Sequence, residues 1–231
     1  AGPPADARWL DIGCGTGIFT ELVLNTCSPA VVFAVDAAKA QIEHARGQAV
    51  GKRANFQVAD AQALPFPDAF FDVVASALVM NFIHDQRRAL SEMRRVACPH
   101  GLIASCVWDF AAELSPSWPL RLGMRRIGAD VPKVPGTNDS SLGALAFLFQ
   151  REEFEEIATT FIDVTVAFAD FDDFWHAQTP RYVPTTKIID ALTHSDRARL
   201  REVVRAEVPV LSDGRIEYSA RANAIKGRTT S

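Results

Sequence analysis

With 231 residues, 48% of them hydrophobic, the chain can bury a full core and is most simply one domain carrying insertions. A formal net charge of −4 argues against a general binder of nucleic acid or of anionic membranes, and the pairs Arg87-Arg88, Arg94-Arg95 and Arg125-Arg126 read as solvated helix faces. No apolar run approaches the roughly 18 residues of a membrane span, and no signal-peptide pattern is visible. Neither the four cysteines nor the five histidines have metal-ligand spacing, so reduced thiols, a cytoplasmic setting and no catalytic metal are expected.

The first element is an apolar run, Arg8 to Ile12, that contains Asp11 and ends in Gly13-Cys14-Gly15-Thr16-Gly17 before the apolar-periodic residues 18–24. That order is strand, tight turn and helix, the opening of an α/β unit. Glycines let the backbone take φ > 0 and let a ligand approach the main chain. Cys14 suits the turn as a small residue, and no histidine lies near it in sequence to make it a nucleophile. A dinucleotide fingerprint would carry its third glycine one residue later.

Residues 30–35 form a continuous apolar run, as in a strand buried on both faces, and end in Asp36. That acid lies about 20 residues past the glycine turn, where doubly wound folds place a carboxylate on a ribose diol. Two carboxylate oxygens can accept from two vicinal hydroxyls. Asp36 can also be the N-cap of a helix over residues 38–49, and the two roles are compatible. Residues 55–59 make a third strand that delivers Asp60 and Ala61, and residues 70–76 make a fourth after the turn Leu64-Pro65-Phe66-Pro67-Asp68. The segment from Ala77 to Asp85 then lies at the carboxyl edge, where open α/β sheets bind ligands. A helix over 86–96 places Ala89, Leu90, Met93 and Val96 on one side, and Pro99-His100-Gly101 turns into a fifth strand over 102–108.

Beyond Trp108 the alternation loosens. A helix is expected from Ser115 to Arg126, a polar loop over 136–143, a surface helix over 152–160 and an alternating edge strand over 162–168. Residues 170–182, ending at Tyr182, form a second candidate cover. A helix over 195–207 has Ser195 as a plausible N-cap, and residues 215–225 alternate as a last strand.

The glycine turn with Asp11, the block "AQALPFPDAFFDVVAS" and the block "ALSEMRRVACPHGLIASCVWD" resemble class I S-adenosylmethionine-dependent methyltransferases of the ubiquinone/menaquinone-biosynthesis type (methyltransferase type 11 domain). The likeness is strongest over residues 9–108 and afterwards lies mostly in layout. It implies a single α/β domain: a doubly wound, Rossmann-like seven-stranded sheet in the order 3-2-1-4-5-7-6 with strand 7 antiparallel. Helical covers over the acceptor are implied at 109–150 and 169–194, with a last helix and strand in 195–231. The implied cofactor is S-adenosylmethionine. Asp11 would help hold its charged amino group, Gly13, Cys14 and Gly15 would accommodate the methionine part, and Asp36 with Ala37 would take the ribose. Asp60 and Ala61 would read adenine, and Ala77 opens the loop over the methionine end.

His100 replaces the first glycine of the family's "PGG", and a positive φ there would cost about 1 kcal/mol. Relatives usually carry some tens of residues before the first strand, forming helices that close over the cofactor, whereas Ala1 to Ala7 precede it in the sequence given. Without such helices, homo-oligomerisation or weak cofactor binding is expected.

The implied activity is methyl transfer to a small aromatic or apolar metabolite. Trp108, Phe110, Trp118, Phe147, Phe149, Phe171, Phe174 and Trp175 cluster in the covers, mostly as lid core. Transfer from a sulfonium mainly requires alignment, and a base is needed only when the acceptor must lose a proton. His84 and His176 are the candidates for that base, and ordinary loop and helix positions account for both as well. Against a nicotinamide-dependent oxidoreductase stand the glycine spacing and the lack of a Tyr-x-x-x-Lys pair, Tyr182 being followed by Lys187. A non-catalytic or truncated binding protein on the same scaffold is the other alternative.

Overall fold

The computed structural model describes residues 5–180 and 184–230, so Tyr182 lies outside the described residues. Seven strands form one sheet in the order β3-β2-β1-β4-β5-β7-β6, with β7 antiparallel. They are β1 (Arg8–Ile12), β2 (Val31–Asp36), β3 (Asn55–Val58), β4 (Phe71–Ala77), β5 (Ala97–Trp108), β6 (Glu155–Phe168) and β7 (Ile216–Arg228). The helices are α1 (Ile18–Thr26), α2 (Lys39–Gly47), α3 (Gln86–Val96), α4 (Trp118–Arg126), α5 (Leu142–Arg151), α6 (Phe171–Gln178), α7 (Pro184–Ala191) and α8 (His194–Glu207). Among the described residues no helix is long and apolar enough to cross a membrane.

Two compact units share the chain, and the first comprises residues 1–107, 135–161 and 223–231. Its core rests on β1, β2 and β4, whose apolar residues Leu10, Ile12, Val35 and Val74 are buried beneath Leu90, Met93 and Val96 of α3. Asp85 caps α3 by accepting the Arg88 N–H at 2.9 Å. Arg95 then ties the β3–β4 connection to that helix, donating to Glu92, to Asp68 and to the carbonyls of Leu64 and Phe66. Phe33, Phe66, Phe70 and Phe71 meet edge to face beside it.

The fifth strand starts earlier than the sequence suggests. Pairing with β4 jumps from Phe71↔Ala97 to Val73↔Leu102, so Cys98 to Gly101 are looped out, and His100 sits at the crest with φ 60. Its exposed ring makes no use of that conformation; its carbonyl accepts from Arg228. Replacing His100 with glycine should therefore raise stability by about 1 kcal/mol, strain relief outweighing the entropy added to the unfolded chain. A urea midpoint that does not rise would contradict this.

The helix expected over residues 152–160 is absent. Glu153 takes φ 58 and ends α5 in the left-handed conformation that glycine usually supplies, and Glu156 takes φ 49. Two such residues exclude a helix, and the chain continues as the edge strand β6. Smaller corrections concern helix ends. α2 stops at Gly47, before a 3-10 turn at Ala49–Lys52. Thr193, rather than Ser195, caps α8, accepting the Asp196 N–H at 3.1 Å.

The second unit comprises residues 108–134 and 162–222. It has its own apolar core of Leu120, Met124, Phe171, Phe174, Trp175, Leu200 and Val204. Trp118, Phe171, Phe174 and Trp175 are thus part of a core, as expected for most of the cover aromatics. α4 and α8 meet closely: a Cβ on Gly123 would lie 2.3 Å from Val204 Cγ2.

Candidate functional site

Parallel pairing sets the carboxyl ends of three strands on one edge, with Ile12 opposite Val35 on one side and Ser76 on the other. From β1 the chain enters the glycine turn, where Gly13, Gly15 and Gly17 take φ 71, 54 and 93. The N–H groups of Gly13 and Cys14 both donate to the Val35 carbonyl, at 2.7 and 3.0 Å, folding the turn onto the end of β2. Space differs sharply between the glycines. A Cβ on Gly13 would lie 2.4 Å from Val79 Cγ2, whereas one on Gly15 would meet nothing within 4 Å. Gly13 is a close approach between loops; Gly15 looks onto open space.

Asp36 closes the turn from the β2 side. Its Oδ2 accepts the Gly15 N–H at 3.0 Å and its Oδ1 accepts the Ala38 N–H at 2.8 Å. Each oxygen keeps a lone pair for a further donor. The N-cap position of α2 falls on Ala38, so Asp36 steadies the entry to the helix without being its cap residue.

Asp11 is 2% exposed, and its surroundings are unusual for a carboxylate. The Thr20 hydroxyl of α1 donates to Oδ2 at 2.6 Å, while Oδ1 has no partner among the described residues. Burial raises its pKa to about 7; the Thr20 bond opposes that shift and the Asp36 charge adds to it. Burial likewise pushes the Cys14 thiol up, aided by Asp11 and Asp36, which removes it as a nucleophile.

A cavity of about 350 Å³ opens at this edge, walled by Gly13, Asp36, Ala37, Asp60 and Ala61, with Val79, Phe82 and His84 across from them. Asp60 is held by Gln62, whose N–H and side-chain amide donate to Oδ1 at 2.9 and 3.1 Å. Asp11, Cys14 and Gly15 do not wall this cavity. Ala77 lines another, of about 430 Å³, with Phe19, Ala104 and Cys106. His176 belongs to the second unit, exposed on α6, with its Nδ1 2.6 Å from the Asp172 carbonyl oxygen. No group of three His, Cys, Asp or Glu able to hold a metal ion occurs among the described residues. Val79 and Phe82 fall in the segment from Ala77 to Asp85 that the sequence places at the ligand-binding edge, without being singled out there. Thr20 and Gln62 were not legible as site residues, although Thr20 left a local signal as a hydroxyl near the start of the helix after the glycines.

The methyltransferase-domain family matches residues 10–105. A demethylmenaquinone methyltransferase of Thermus thermophilus is 37% identical over 153 residues, covering 64% of this chain and 67% of that protein. The chain belongs to the class I S-adenosylmethionine-dependent methyltransferases. Another member, a malonyl-[acyl-carrier protein] O-methyltransferase of Halorhodospira halophila, is 39% identical over 114 residues, covering 48% of this chain and 39% of that protein. Matched stretches span 39% and 43% of the first two curated relatives. Among solved structures, the YcgJ protein of Bacillus subtilis aligns over 100% of this methyltransferase chain and 95% of its own, with a TM-score of 0.62 at 22% identity. A putative methyltransferase of Bacillus halodurans aligns over 100% and 96%, with a TM-score of 0.64 at 14% identity. These two likenesses concern the fold.

Proposed function

We propose that the chain binds S-adenosylmethionine in the cavity beside Gly13 and Asp36 and transfers its methyl group to a small aromatic or apolar acceptor. The observation that carries this reading is the pairing of two carboxylates across one glycine turn: Asp36 braces the Gly15 N–H, and Asp11 keeps a buried oxygen without a partner. That set suits a ligand with a cationic amino group and a ribose diol. In the same reading Asp60 and the Ala61 N–H meet adenine, and Ala77 belongs to the loop over the methionine end.

Gly13, Asp36 and Ala37 with Asp60 and Ala61 would hold the cofactor, which would supply an electrophilic methyl group on a sulfonium. The residues of this chain have mainly to hold the two partners in line. The glycine turn, folded onto the end of β2 through the Val35 carbonyl, and the doubly bonded Asp36 serve that task. Of the two histidines, His84 walls the cavity, while the Nδ1 of His176 lies against a backbone carbonyl. His84 is therefore the one to receive a proton when the acceptor must release one.

Calorimetric titration with S-adenosylhomocysteine tests the reading. Saturable binding is expected, weakened at least about tenfold in Asp36→Ala, since each hydrogen bond to a charged group contributes about 1.5–3 kcal/mol. No binding by a protein folded normally in circular dichroism would favour a non-catalytic scaffold instead.

A further inference from the structure

A third cavity, of about 450 Å³, shares Ile83 and His84 with the one beside Gly13 and Asp36, so one short loop separates those two. Its far wall is α5, which presents Ala144, Phe147 and Leu148, and Arg151 one turn beyond. Phe147 is 59% exposed and takes no part in the apolar core of this unit. The Arg151 guanidinium lies over that ring, 5.6 Å from its centre.

The loop that completes the cavity is pinned from below. The Gly136 N–H donates to the Asn81 carbonyl at 2.8 Å, Asn81 Nδ2 donates to the Gly136 carbonyl at 3.3 Å, and Asn223 Nδ2 donates to the Ser140 carbonyl at 2.8 Å. Both asparagines are buried, and a Cβ on Gly136 would lie 2.1 Å from Gln86 Nε2. Buried polar latches of this kind hold an irregular segment in one place.

Charge then selects a ligand. Among the charged residues of the wall, Arg87 is paired with Glu152 at 2.9 Å, and Asp85 caps α3. Arg151 has no carboxylate partner among the described residues, and Asp139 stands on the loop side, where it disfavours an anion.

We propose that this cavity is the acceptor pocket, and that it takes an amphiphilic acid whose aromatic or alkyl body lies along Phe147 and Leu148 and whose anionic group pairs with Arg151. The proposal rests on the methyl-transfer reading for the word acceptor, while the pocket and its ligand class stand on their own observations. Arg151 acts as a specificity residue, and His84 stands where the two ligands meet.

The test uses phenylbutyrate and its neutral counterpart phenylbutyramide as probes, followed by ligand-observed NMR with the full chain, with S-adenosylhomocysteine titrated separately. Phenylbutyrate should bind saturably, about tenfold more tightly than the amide, and Arg151→Gln should remove that preference while leaving S-adenosylhomocysteine affinity unchanged. Arg151→Lys should restore part of it. Equal binding of acid and amide, an unaffected Arg151→Gln variant, or no phenylbutyrate binding at millimolar concentration would overturn the proposal. Acid-selective, Arg151-dependent binding without any S-adenosylhomocysteine binding would uphold the pocket and overturn the methyl-transfer reading.

Discussion

Replacing Asp11 with asparagine is expected to remove a pH-dependent loss of stability of about 4 kcal/mol between roughly pH 4 and pH 8. The carboxyl is held near pKa 7 in the folded chain, chiefly by burial, whereas in an unfolded chain it titrates near the ordinary value of about 3.9. Between those values the folded state binds the proton and the unfolded state does not. Stability therefore falls as pH rises through this window and levels off above the folded pKa. Other carboxylates contribute with the opposite sign, so the informative quantity is the difference between wild type and Asp11→Asn in urea unfolding at each pH. That difference should slope against the wild type from about pH 4 to pH 7 and then flatten. A flat difference throughout would mean that Asp11 is ionised normally when buried. Saturating S-adenosylhomocysteine should narrow the slope, because a cationic amino group near the free Oδ1 favours the ionised form.

The local parts of this site were readable and the close contacts were not. Three glycines at alternate positions, Asp36 at the end of an apolar run and Asp60 at the end of the next are short-range patterns, and each reflects a backbone requirement a few residues wide. The sheet order followed from the family resemblance, and His100 was marked by standing where relatives carry glycine. By contrast, nothing in the neighbourhood of Gly13 signals that Val79 will lie against it, because that contact closes over more than sixty residues of intervening chain. Thr20 reveals itself as the Asp11 partner only once helix and strand are laid side by side. The misread segment over 152–160 shows the limit from the other direction. The segment reads as a surface helix in sequence, but pairing in the sheet decided the outcome, and Glu153 and Glu156 carry left-handed backbone. Phe147 was legible as one of the cover aromatics, whereas Arg151 carried no signal until α5 set its guanidinium over that ring.

The Gly13–Val79 contact itself yields a large loss of stability on substitution. Gly13→Ala introduces a Cβ 2.4 Å from Val79 Cγ2 and 2.5 Å from Val79 Cβ. Val79 Cγ1 also lies 2.6 Å away, so rotating the valine leaves its Cβ and a methyl in contact, and backbone must move. The residue must also hold φ 71, which costs an alanine about 1–2 kcal/mol, and overpacking adds about 1–3 kcal/mol. A total near 3 kcal/mol is expected in urea unfolding, a large share of the stability of an ordinary domain of about 5–15 kcal/mol. The two contributions separate in a double-mutant cycle. In a Val79→Gly background the Cβ clash is gone while the left-handed strain persists, so Gly13→Ala should then cost only about 1–2 kcal/mol. Equal costs in both backgrounds would show that the loop after β4 does not approach the glycine turn as closely as described. Because Gly13 and Val79 both wall the candidate cofactor cavity, the displaced backbone should also weaken S-adenosylhomocysteine binding in Gly13→Ala. The Val79→Gly background should recover part of that affinity along with the packing.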